Sequence, residues 1–255
     1  MALFRKLLFP FSFLYGLIIY LRNVLYDVGI LKSHSFDIPV ISVGNIAVGG
    51  TGKTPHVEYL VRLLKDQYKI AVLSRGYKRT TSDYFLAENI SDASEIGDEP
   101  CQIKQKFPDI QVAVCEDRVE GVKNLLKAFP DLDVVLLDDA YQHRQIRPNL
   151  SILLIDYNSL FKNRMLLPAG DLREPFTAKK RADILIVTKT PEIISDKEKE
   201  NILKKLKPRK DQKVFYTYIE YGLLTNCFEN TDHIPTLDEN LSIMLFCGVA
   251  NPQPL

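Results

Sequence analysis

The stretch Gly44–Thr54 (GNIAVGGTGKT) decides the fold, because it joins the apolar run Pro39–Val43 (PVISV) to an amphipathic helical pattern. Its second part, Ala47–Thr54, matches the pattern of a phosphate-binding loop (P-loop), except that alanine replaces the first glycine. Glycines allow backbone conformations that a side chain would forbid, so consecutive N–H groups can point at phosphate oxygens. We therefore predict a strand, a phosphate cradle, and a helix whose positive end faces the phosphates.

The side chains of this loop predict nucleotide chemistry. The ammonium group of Lys53 can bridge β- and γ-phosphates, and the hydroxyl of Thr54 can bind Mg²⁺. The alternative is a glycine-rich turn with an incidental lysine, and the order of strand, loop and helix counts against it. The predicted nucleotide-binding residues are Gly49, Gly50, Thr51, Gly52, Lys53 and Thr54.

Two adjacent acids end a later apolar run, at Asp138 and Asp139 within Leu136–His143 (LLDDAYQH). A carboxylate at the end of a buried strand suits the Mg²⁺ site beside a P-loop. Neighbouring strand residues point in opposite directions, so one acid can bind the metal while the other orients a neighbour. Which acid takes which role stays open. His143 fits a functional role and a hydrogen-bonded structural role equally well.

Short apolar runs alternate with helical patterns along the chain. The continuous Val, Ile and Leu content of these runs is typical of strands buried on both faces. We predict an α/β fold, a doubly wound and mostly parallel sheet with helices on both faces. The predicted strands are Val40–Val43, Ile70–Ser74, Val112–Cys115, Val134–Leu137, Ile152–Ile155 and Ile184–Thr188. The predicted helices are Lys53–Lys65, Glu99–Phe107, Asp117–Phe129 and Lys197–Leu206, with Asp117 and Glu120 as a capping box.

The first segment of the chain is apolar. Leu7–Leu21 carries no charge but is flanked by Arg5, Lys6 and Arg22. It is shorter than the ~20 residues of a typical spanning helix. A helix lying in the membrane interface explains the flanking cations and the aromatic content best; a buried core helix and a spanning anchor are the alternatives.

Composition limits the remaining possibilities. The net charge of +1 gives no global signature of nucleic-acid binding, and the four cysteines contain no Cys-x-x-Cys pair that would indicate zinc. A charged turn at Lys204–Lys213 precedes two strand-like runs, Val214–Tyr221 and Leu241–Phe246. We predict a membrane-associated helix over 1–35, a P-loop core over 36–213, and the start of a smaller α/β unit over 214–255.

In series, six stretches resemble the tetraacyldisaccharide 4′-kinase family, whose members phosphorylate the disaccharide precursor of lipid A. GGTGKT alone also occurs in other families, whereas GDEP, DDAYQH and LPAGDLREP in order are far more specific. The stretches are Val43–Pro55 (VGNIAVGGTGKTP), Ser74–Arg79 (SRGYKR), Gly97–Pro100 (GDEP), Asp138–Arg144 (DDAYQHR), Leu166–Pro175 (LLPAGDLREP) and Gly248–Pro252 (GVANP).

The resemblance implies transfer of the γ-phosphate of ATP, with Mg²⁺, to the 4′-hydroxyl of an acylated glucosamine disaccharide. It implies work at the cytoplasmic face of the bacterial inner membrane, with no nucleic acid and no obligatory protein partner. It also implies roles: Asp98 as catalytic base, Asp138 and Asp139 as metal-binding and organising acids, and Arg173 near the reacting phosphates together with Lys53. Thr54, Asp138 and Asp139 are the implied metal ligands.

A membrane-associated nucleotide switch of the partition type is the second hypothesis. Those ATPases carry a lysine directly before the two glycines, and Val48 stands there instead. ATP is favoured over GTP because Pro191 replaces the aspartate expected after Thr188 and Lys189 in a guanine-reading motif. The family also has a later Asp-His-His run that this sequence lacks, so we expect a chain that stops short of it, with nucleotide binding retained and turnover weakened.

Overall fold

The central layer of the molecule is one sheet of eight strands. The computed structural model describes Arg5, 7–162, 164–220 and Gly222. The strands are β1 (Val40–Asn45), β2 (Ile70–Ser74), β3 (Phe85–Leu86), β4 (Gln111–Val114), β5 (Val134–Asp138), β6 (Leu150–Asp156), β7 (Ile184–Thr188) and β8 (Lys213–Tyr216). Their order in the sheet is β3–β4–β2–β5–β1–β6–β7–β8, and all neighbouring strands are parallel except β3 and β4.

Helices cover both faces of the sheet. The helices are α1 (Phe9–Asp27), α2 (Lys53–Leu64), α3 (Ala93–Ile96), α4 (Asp98–Lys106), α5 (Arg118–Ala128), α6 (Tyr157–Leu160) and α7 (Asp196–Leu206), with a 3₁₀ helix at Phe176–Arg181. α2 and α4 pack on one face through a core around Val43 and Leu154, and α5 and α7 pack on the other through residues such as Leu125 and Ile202. The predicted doubly wound α/β fold is confirmed.

All six predicted core strands are present, two of them, Ile70–Ser74 and Ile184–Thr188, with the predicted bounds. The elements missed by the sequence reasoning are short: β3, α3, α6 and the 3₁₀ helix. Asp117 caps α5 as predicted, accepting from the N–H groups of Val119 and Glu120. The reciprocal bond of a capping box, from the Asp117 N–H to the Glu120 side chain, is not among the bonds of this cap in the described structure. Asp92 with Glu95 and Ser195 with Glu198 do form complete capping boxes.

The predicted boundary at residue 213 is wrong in one respect. Lys213–Tyr216 pairs in parallel with β7 and belongs to the core sheet, so the core continues at least to Tyr216. The charged segment before it is the end of α7 and its connection to β8. The rest of the predicted smaller unit, including Leu241–Phe246, lies outside the described residues and stays a prediction.

α1 lies outside the core. Its apolar side chains are exposed, and Ser12 is its one buried residue among those described. It is therefore not a core helix; by length and composition alone, its 19 residues could cross a membrane. The exposed large apolar side chains from Leu7 to Leu31 are Leu7, Phe9, Phe11, Phe13, Leu14, Leu17, Ile18, Tyr20, Leu21, Leu25, Val28, Ile30 and Leu31.

Polar contacts attach α1 to the segment Leu166–Pro175. The Ser12 hydroxyl accepts from the N–H of Ala169 at 2.9 Å, and the Tyr15 hydroxyl donates to the carbonyl of Arg173 at 2.8 Å. Leu166 packs so closely on Gly16 that a Cβ there would lie 2.7 Å from its Cδ1. The exposed helix is thus seated on the part of the chain that carries one predicted catalytic residue.

Candidate nucleotide and metal site

The P-loop connects β1 to α2 at the carboxyl edge of the sheet. Gly49 has φ 110° and Gly52 has φ 86°, conformations that strongly favour glycine, while Gly50 does not have a positive φ. The Thr51 hydroxyl accepts from the Asn45 side-chain amide at 2.8 Å, and the Thr51 N–H donates to the Gly49 carbonyl at 3.1 Å. The loop is therefore preformed, with Thr51 buried as an internal brace rather than presenting its amide.

Two residues that the sequence reasoning did not assign to the loop support it from outside. Lys189, with φ 56°, donates to the Gly50 carbonyl and lies 3.6 Å from a carboxylate oxygen of Asp156. His56 donates from Nδ1 to the Gly52 carbonyl at 2.7 Å, and burial lowers the pKa of this histidine. His56 thus supports the end of the loop, and Lys189, which the sequence connected only with base recognition, supports its middle.

Asp139 joins the loop to the rest of the site. Its carboxylate lies 3.7 Å from the ammonium of Lys53 and accepts from Arg173 at 3.2 and 3.3 Å. It has φ 47°, a strained conformation at the turn after β5. The register explains the meeting: β5 lies beside β1 with Asp138 opposite Val43, so Asp139 follows β5 at the same edge of the sheet at which β1, ending at Asn45, leads into the P-loop. The predicted trio of Lys53, Asp139 and Arg173 is brought together in the structure.

Asp138 points into a drier environment. It is 4% exposed, accepts from the Ser74 hydroxyl at 3.4 Å through Oδ2, and its Oδ1 has no partner in the described structure. Burial, reinforced by the charge of Asp139, raises the pKa of Asp138 to about 6, against the attraction of Lys53. A buried carboxylate with a free oxygen is poised for a cation, since a positive charge would offset the cost of burying the acid.

The donor set fits Mg²⁺. This ion is usually held by one or two carboxylates together with substrate phosphates and waters, so no dedicated protein cage is required. Accordingly, the described residues contain no group of three or more metal-binding side chains. Asp138, with its orphan oxygen, is the strongest candidate ligand, whereas Asp139 is already engaged by two cations. Thr54 stands one residue into α2, where its hydroxyl makes no hydrogen bond in the described structure.

Arg118 was missed by the sequence reasoning. It is 1% exposed, and its guanidinium donates to the carbonyls of Cys115, Glu116 and Asp138. Burial lowers the pKa of Arg118 to about 10, so it stays charged at neutral pH. A buried cation held by carbonyls beside Asp138 makes the site more positive. Its position right after a helix cap gave no signal of function in the sequence.

His143 lies close to several cations. The ring is half-buried, and burial together with Arg118, Arg75 and Arg22 lowers the pKa of His143 to about 4. It is therefore neutral in the free protein. Both roles considered for His143 remain compatible with this environment.

Arg173 is held by backbone pairing with the P-loop. Its N–H donates to the Ile46 carbonyl at 2.7 Å, and the N–H of Val48 donates to the Asp171 carbonyl at 2.8 Å. The stretch Asp171–Arg173 thus runs antiparallel to Ile46–Val48, the first half of the P-loop. Together with the Tyr15 bond from α1, this pairing fixes where the guanidinium meets Asp139.

Asp98 lies apart from that trio. It is exposed at the first turn of α4, after Gly97, whose φ is 92°. A Cβ on Gly97 would approach the Tyr77 carbonyl to 3.1 Å, so this turn packs directly on Gly76–Tyr77. Because α4 leads down to the start of β4, its first turn faces the carboxyl edge of the sheet. None of the described contacts joins Asp98 to Lys53 or Asp139.

The sequence is similar to a known family over nearly its whole length. The sequence model of the family described as tetraacyldisaccharide-1-P 4′-kinase matches residues 4–255. The tetraacyldisaccharide 4′-kinase of Flavobacterium johnsoniae is 48% identical over 255 residues, 100% of this chain and 74% of the relative. That of Phocaeicola vulgatus is 47% identical, covering 98% of this chain and 70% of the relative.

A solved structure shares the architecture. The crystal structure of LpxK from Aquifex aeolicus in complex with ATP is similar with a TM-score of 0.69 and 34% identity. The match covers 84% of this chain and 82% of that one. The similarity therefore includes sequence and fold over most of both chains.

Proposed function

The chain belongs to the tetraacyldisaccharide-1-P 4′-kinase family, and from that premise we propose how its residues divide the reaction. The protein is an ATP-dependent kinase of lipid A biosynthesis that phosphorylates the 4′-hydroxyl of a tetraacylated glucosamine disaccharide. Membership of this family favours the kinase over the nucleotide switch. The observation that carries the assignment of residues is the meeting of the Lys53 ammonium with the acids that end β5.

Lys53, Gly49, Gly50, Gly52 and Thr51 form the proposed phosphate cradle, with Thr51 as its internal brace. Without nucleotide, Asp139 lies against the cations Lys53 and Arg173. When ATP enters, we expect both cations to turn toward the phosphoryl oxygens, where negative charge is concentrated in the transition state. Before the nucleotide arrives, Asp139 keeps these two cations within reach of the phosphate cradle.

Asp138 and Thr54 are the proposed protein ligands of Mg²⁺, with Asp139 beside them. When bound, the ion neutralises charge on the phosphates and orients them for in-line transfer. The contribution of this chain is the buried Asp138 carboxylate, whose Oδ1 has no partner in the described structure and whose pKa is raised by burial and by the charge of Asp139. Arg118 beneath it holds the Asp138 carbonyl and so the end of the strand.

The acceptor hydroxyl needs a base because a sugar alcohol is a poor nucleophile. We assign this role to Asp98, whose exposed carboxylate stands at the carboxyl edge of the sheet. The bond between the 4′-oxygen and the γ-phosphorus forms as the bond from that phosphorus to the β–γ bridging oxygen breaks. The hydroxyl proton passes to Asp98, and ADP carries the negative charge away. The lipid headgroup must lie between Asp98 and the P-loop.

The membrane surface is the proposed place of work, at the cytoplasmic face of the inner membrane. The support is the exposed apolar surface of α1, which water does not favour and a lipid interface does. Arg5 and Arg22 flank that surface and attach it to the core, since Arg5 donates to the Gly170 carbonyl and Arg22 to the Gln142 carbonyl. Because Tyr15 of the same helix bonds to the Arg173 carbonyl, docking of α1 and positioning of Arg173 depend on one another.

Transfer of labelled γ-phosphate to the detergent-solubilised disaccharide tests these assignments, with wild type, Lys53→Ala and Asp98→Ala side by side. We expect Lys53→Ala to abolish transfer, because γ-phosphate stabilisation is lost. Asp98→Ala should slow the chemical step by ~10²–10⁴ and leave nucleotide affinity nearly unchanged. Asp109→Ala, an exposed acid on the loop after α4, serves as the control. Full activity of Asp98→Ala would remove that residue from the mechanism.

A further inference from the structure

A basic cleft lies beside the carboxyl end of α7, and its residue Arg164 also borders a smaller pocket that includes Ala47 and Thr51 of the P-loop. It encloses about 520 Å³ and is lined by Phe161, Arg164, Asn201, Lys204, Lys205 and Lys207. Four of these six residues are cations and none is acidic. The proposed mechanism uses none of them.

The positive charge of this cleft is only partly neutralised. Lys204 lies 3.5 Å from Glu200, in a pair exposed to solvent, but within the described chain Lys205 and Lys207 form no ion pair. Arg164 stacks on the Phe176 ring and donates to the Lys205 carbonyl at 3.1 Å. The hydrogen-bond partner of this guanidinium is therefore a neutral carbonyl and not a carboxylate.

Further cations stand behind the cleft. Lys179 is 5% exposed and donates to the Lys207 carbonyl at 2.9 Å. Burial, followed by the neighbouring charges of Lys180, Arg164 and Arg209, lowers the pKa of Lys179. Like charges gathered this closely destabilise one another, and an anion in the cleft would relieve that repulsion.

The cleft is close to the seat of α1. Arg164 in the cleft is two residues from Leu166, which packs against Gly16 in α1, and two residues of chain span at most ~7 Å. Arg5, before α1, donates to the Gly170 carbonyl of the same segment at 2.8 Å. The headgroup layer is roughly 5–8 Å thick on each side of a bilayer. A membrane that receives α1 therefore brings its headgroups to the neighbourhood of Arg164.

We propose that this cleft, which we call the α7 basic cleft, binds the phosphate-bearing headgroup of an anionic phospholipid. The proposal rests on the membrane seat of α1 given under the proposed function. Lys205 and Lys207 supply charge to the phosphate, Arg164 supplies directional donors, and Asn201 can donate to a headgroup hydroxyl. Phe161, 49% exposed at the rim, meets the upper part of the acyl chains.

The charge pattern favours a lipid over a soluble anion. Lysine ammoniums are compact point charges suited to diffuse attraction by an anionic surface, whereas a dedicated phosphate pocket usually uses convergent backbone amides or forked arginines. The cleft is open to solvent and combines four cations with an exposed aromatic ring. That combination matches an interface between headgroups and acyl chains.

Vesicle co-sedimentation of the full chain tests the proposal. One set of vesicles contains phosphatidylcholine alone, and the other also contains phosphatidylglycerol. Each cation near an anionic surface contributes about 1 kcal/mol, or about fivefold in binding. We expect phosphatidylglycerol to strengthen binding of the wild type, and Lys205→Gln/Lys207→Gln to weaken that binding by up to ~25-fold while binding to neutral vesicles stays the same.

The matched control is Lys65→Gln/Lys69→Gln, which removes the same charge near the end of α2, a helix on the opposite face of the sheet. Lys205→Glu changes the charge by the same two units at a single position and serves as a second variant with a similar expected loss, and thermal unfolding verifies that each variant is folded. Transfer of phosphate to detergent-solubilised substrate should be unchanged in all of them, so failure of the kinase assignment would be seen separately.

Two results would overturn the proposal. One is an equal loss of anionic-vesicle binding in the control and in Lys205→Gln/Lys207→Gln, which would make the effect one of net charge. The other is a pair of observations: inorganic phosphate stabilises the wild type but not Lys205→Gln/Lys207→Gln, and the two proteins bind anionic vesicles equally well. The cleft would then be a site for a soluble anion.

Discussion

Removing one hydroxyl from α1 should slow phosphate transfer. In Tyr15→Phe the ring remains, and only the hydrogen bond to the Arg173 carbonyl is lost. In the described chain no other donor reaches that carbonyl. The Arg173 guanidinium sits on the same segment, 3.2 Å from Asp139. We therefore expect the position of this guanidinium to become less well defined.

The size of the effect follows from the energy of one hydrogen bond. A neutral bond of this kind contributes about 0.5–1.5 kcal/mol net. If all of it is lost in the transition state, kcat falls by up to roughly tenfold, since each ~1.4 kcal/mol is a factor of ten. The KM for ATP should change little, because the cradle around Gly49 and Gly52 does not contact Tyr15 in the described structure.

Labelled phosphate transfer in detergent, together with thermal unfolding, measures this effect. Tyr20→Phe is the matched control, since Tyr20 is on the same helix, 61% exposed, and its hydroxyl makes no hydrogen bond in the described structure. If Tyr15→Phe is less stable but has the same kcat as Tyr20→Phe, the link between Tyr15 and the position of the Arg173 guanidinium is wrong. The bond would then hold the helix without positioning Arg173.

Two further predictions concern stability. The pKa of His143 is lowered in the folded protein from 6.5 to about 4, so the unfolded chain binds the proton more readily and stability falls as pH drops through that interval. His143→Gln should remove on the order of 1–2 kcal/mol of this pH-dependent loss, allowing for solvent screening of a half-buried ring; urea unfolding across the interval measures it, and parallel curves for variant and wild type would contradict it. Asp117→Ala removes the cap of α5 and should cost about 1 kcal/mol in thermal unfolding with nucleotide affinity unchanged; an unchanged midpoint would show that water replaces the cap.

The sheet could be predicted because its strands are buried on both faces. Continuous apolar runs stand out from their charged surroundings, and the ends of two of them, Ile70–Ser74 and Ile184–Thr188, coincide with the strand ends. The edge strand β8 is different: Val214 and Tyr216 pack on the core while Phe215 is 50% exposed. An edge strand after a charged connection resembles the start of a new unit, and this is why the predicted boundary fell inside it.

The nucleotide site could be predicted where it depends on strand order. Lys53 and Asp139 meet because β1 and β5 are parallel neighbours whose carboxyl ends lie at the same edge of the sheet. Arg118 and Lys189 reach the site only through tertiary packing, so no spacing in the sequence indicates them. The bond between Tyr15 and Arg173 joins residues 158 positions apart and likewise has no local signal. The predicted base, Asp98, shares the edge of the sheet but not the contacts.

We propose that the P-loop and the acids that end β5 form one site for Mg²⁺ and ATP. Calorimetric titration with a non-hydrolysable ATP analogue, with Mg²⁺ and with chelator, tests it in wild type, Asp138→Asn and the control Asp109→Asn. We predict that Mg²⁺ strengthens nucleotide binding in wild type and control, and that Asp138→Asn loses this gain by about tenfold or more. If nucleotide affinity depends on Mg²⁺ equally in all three proteins, Asp138 does not bind the ion and the shared site is wrong.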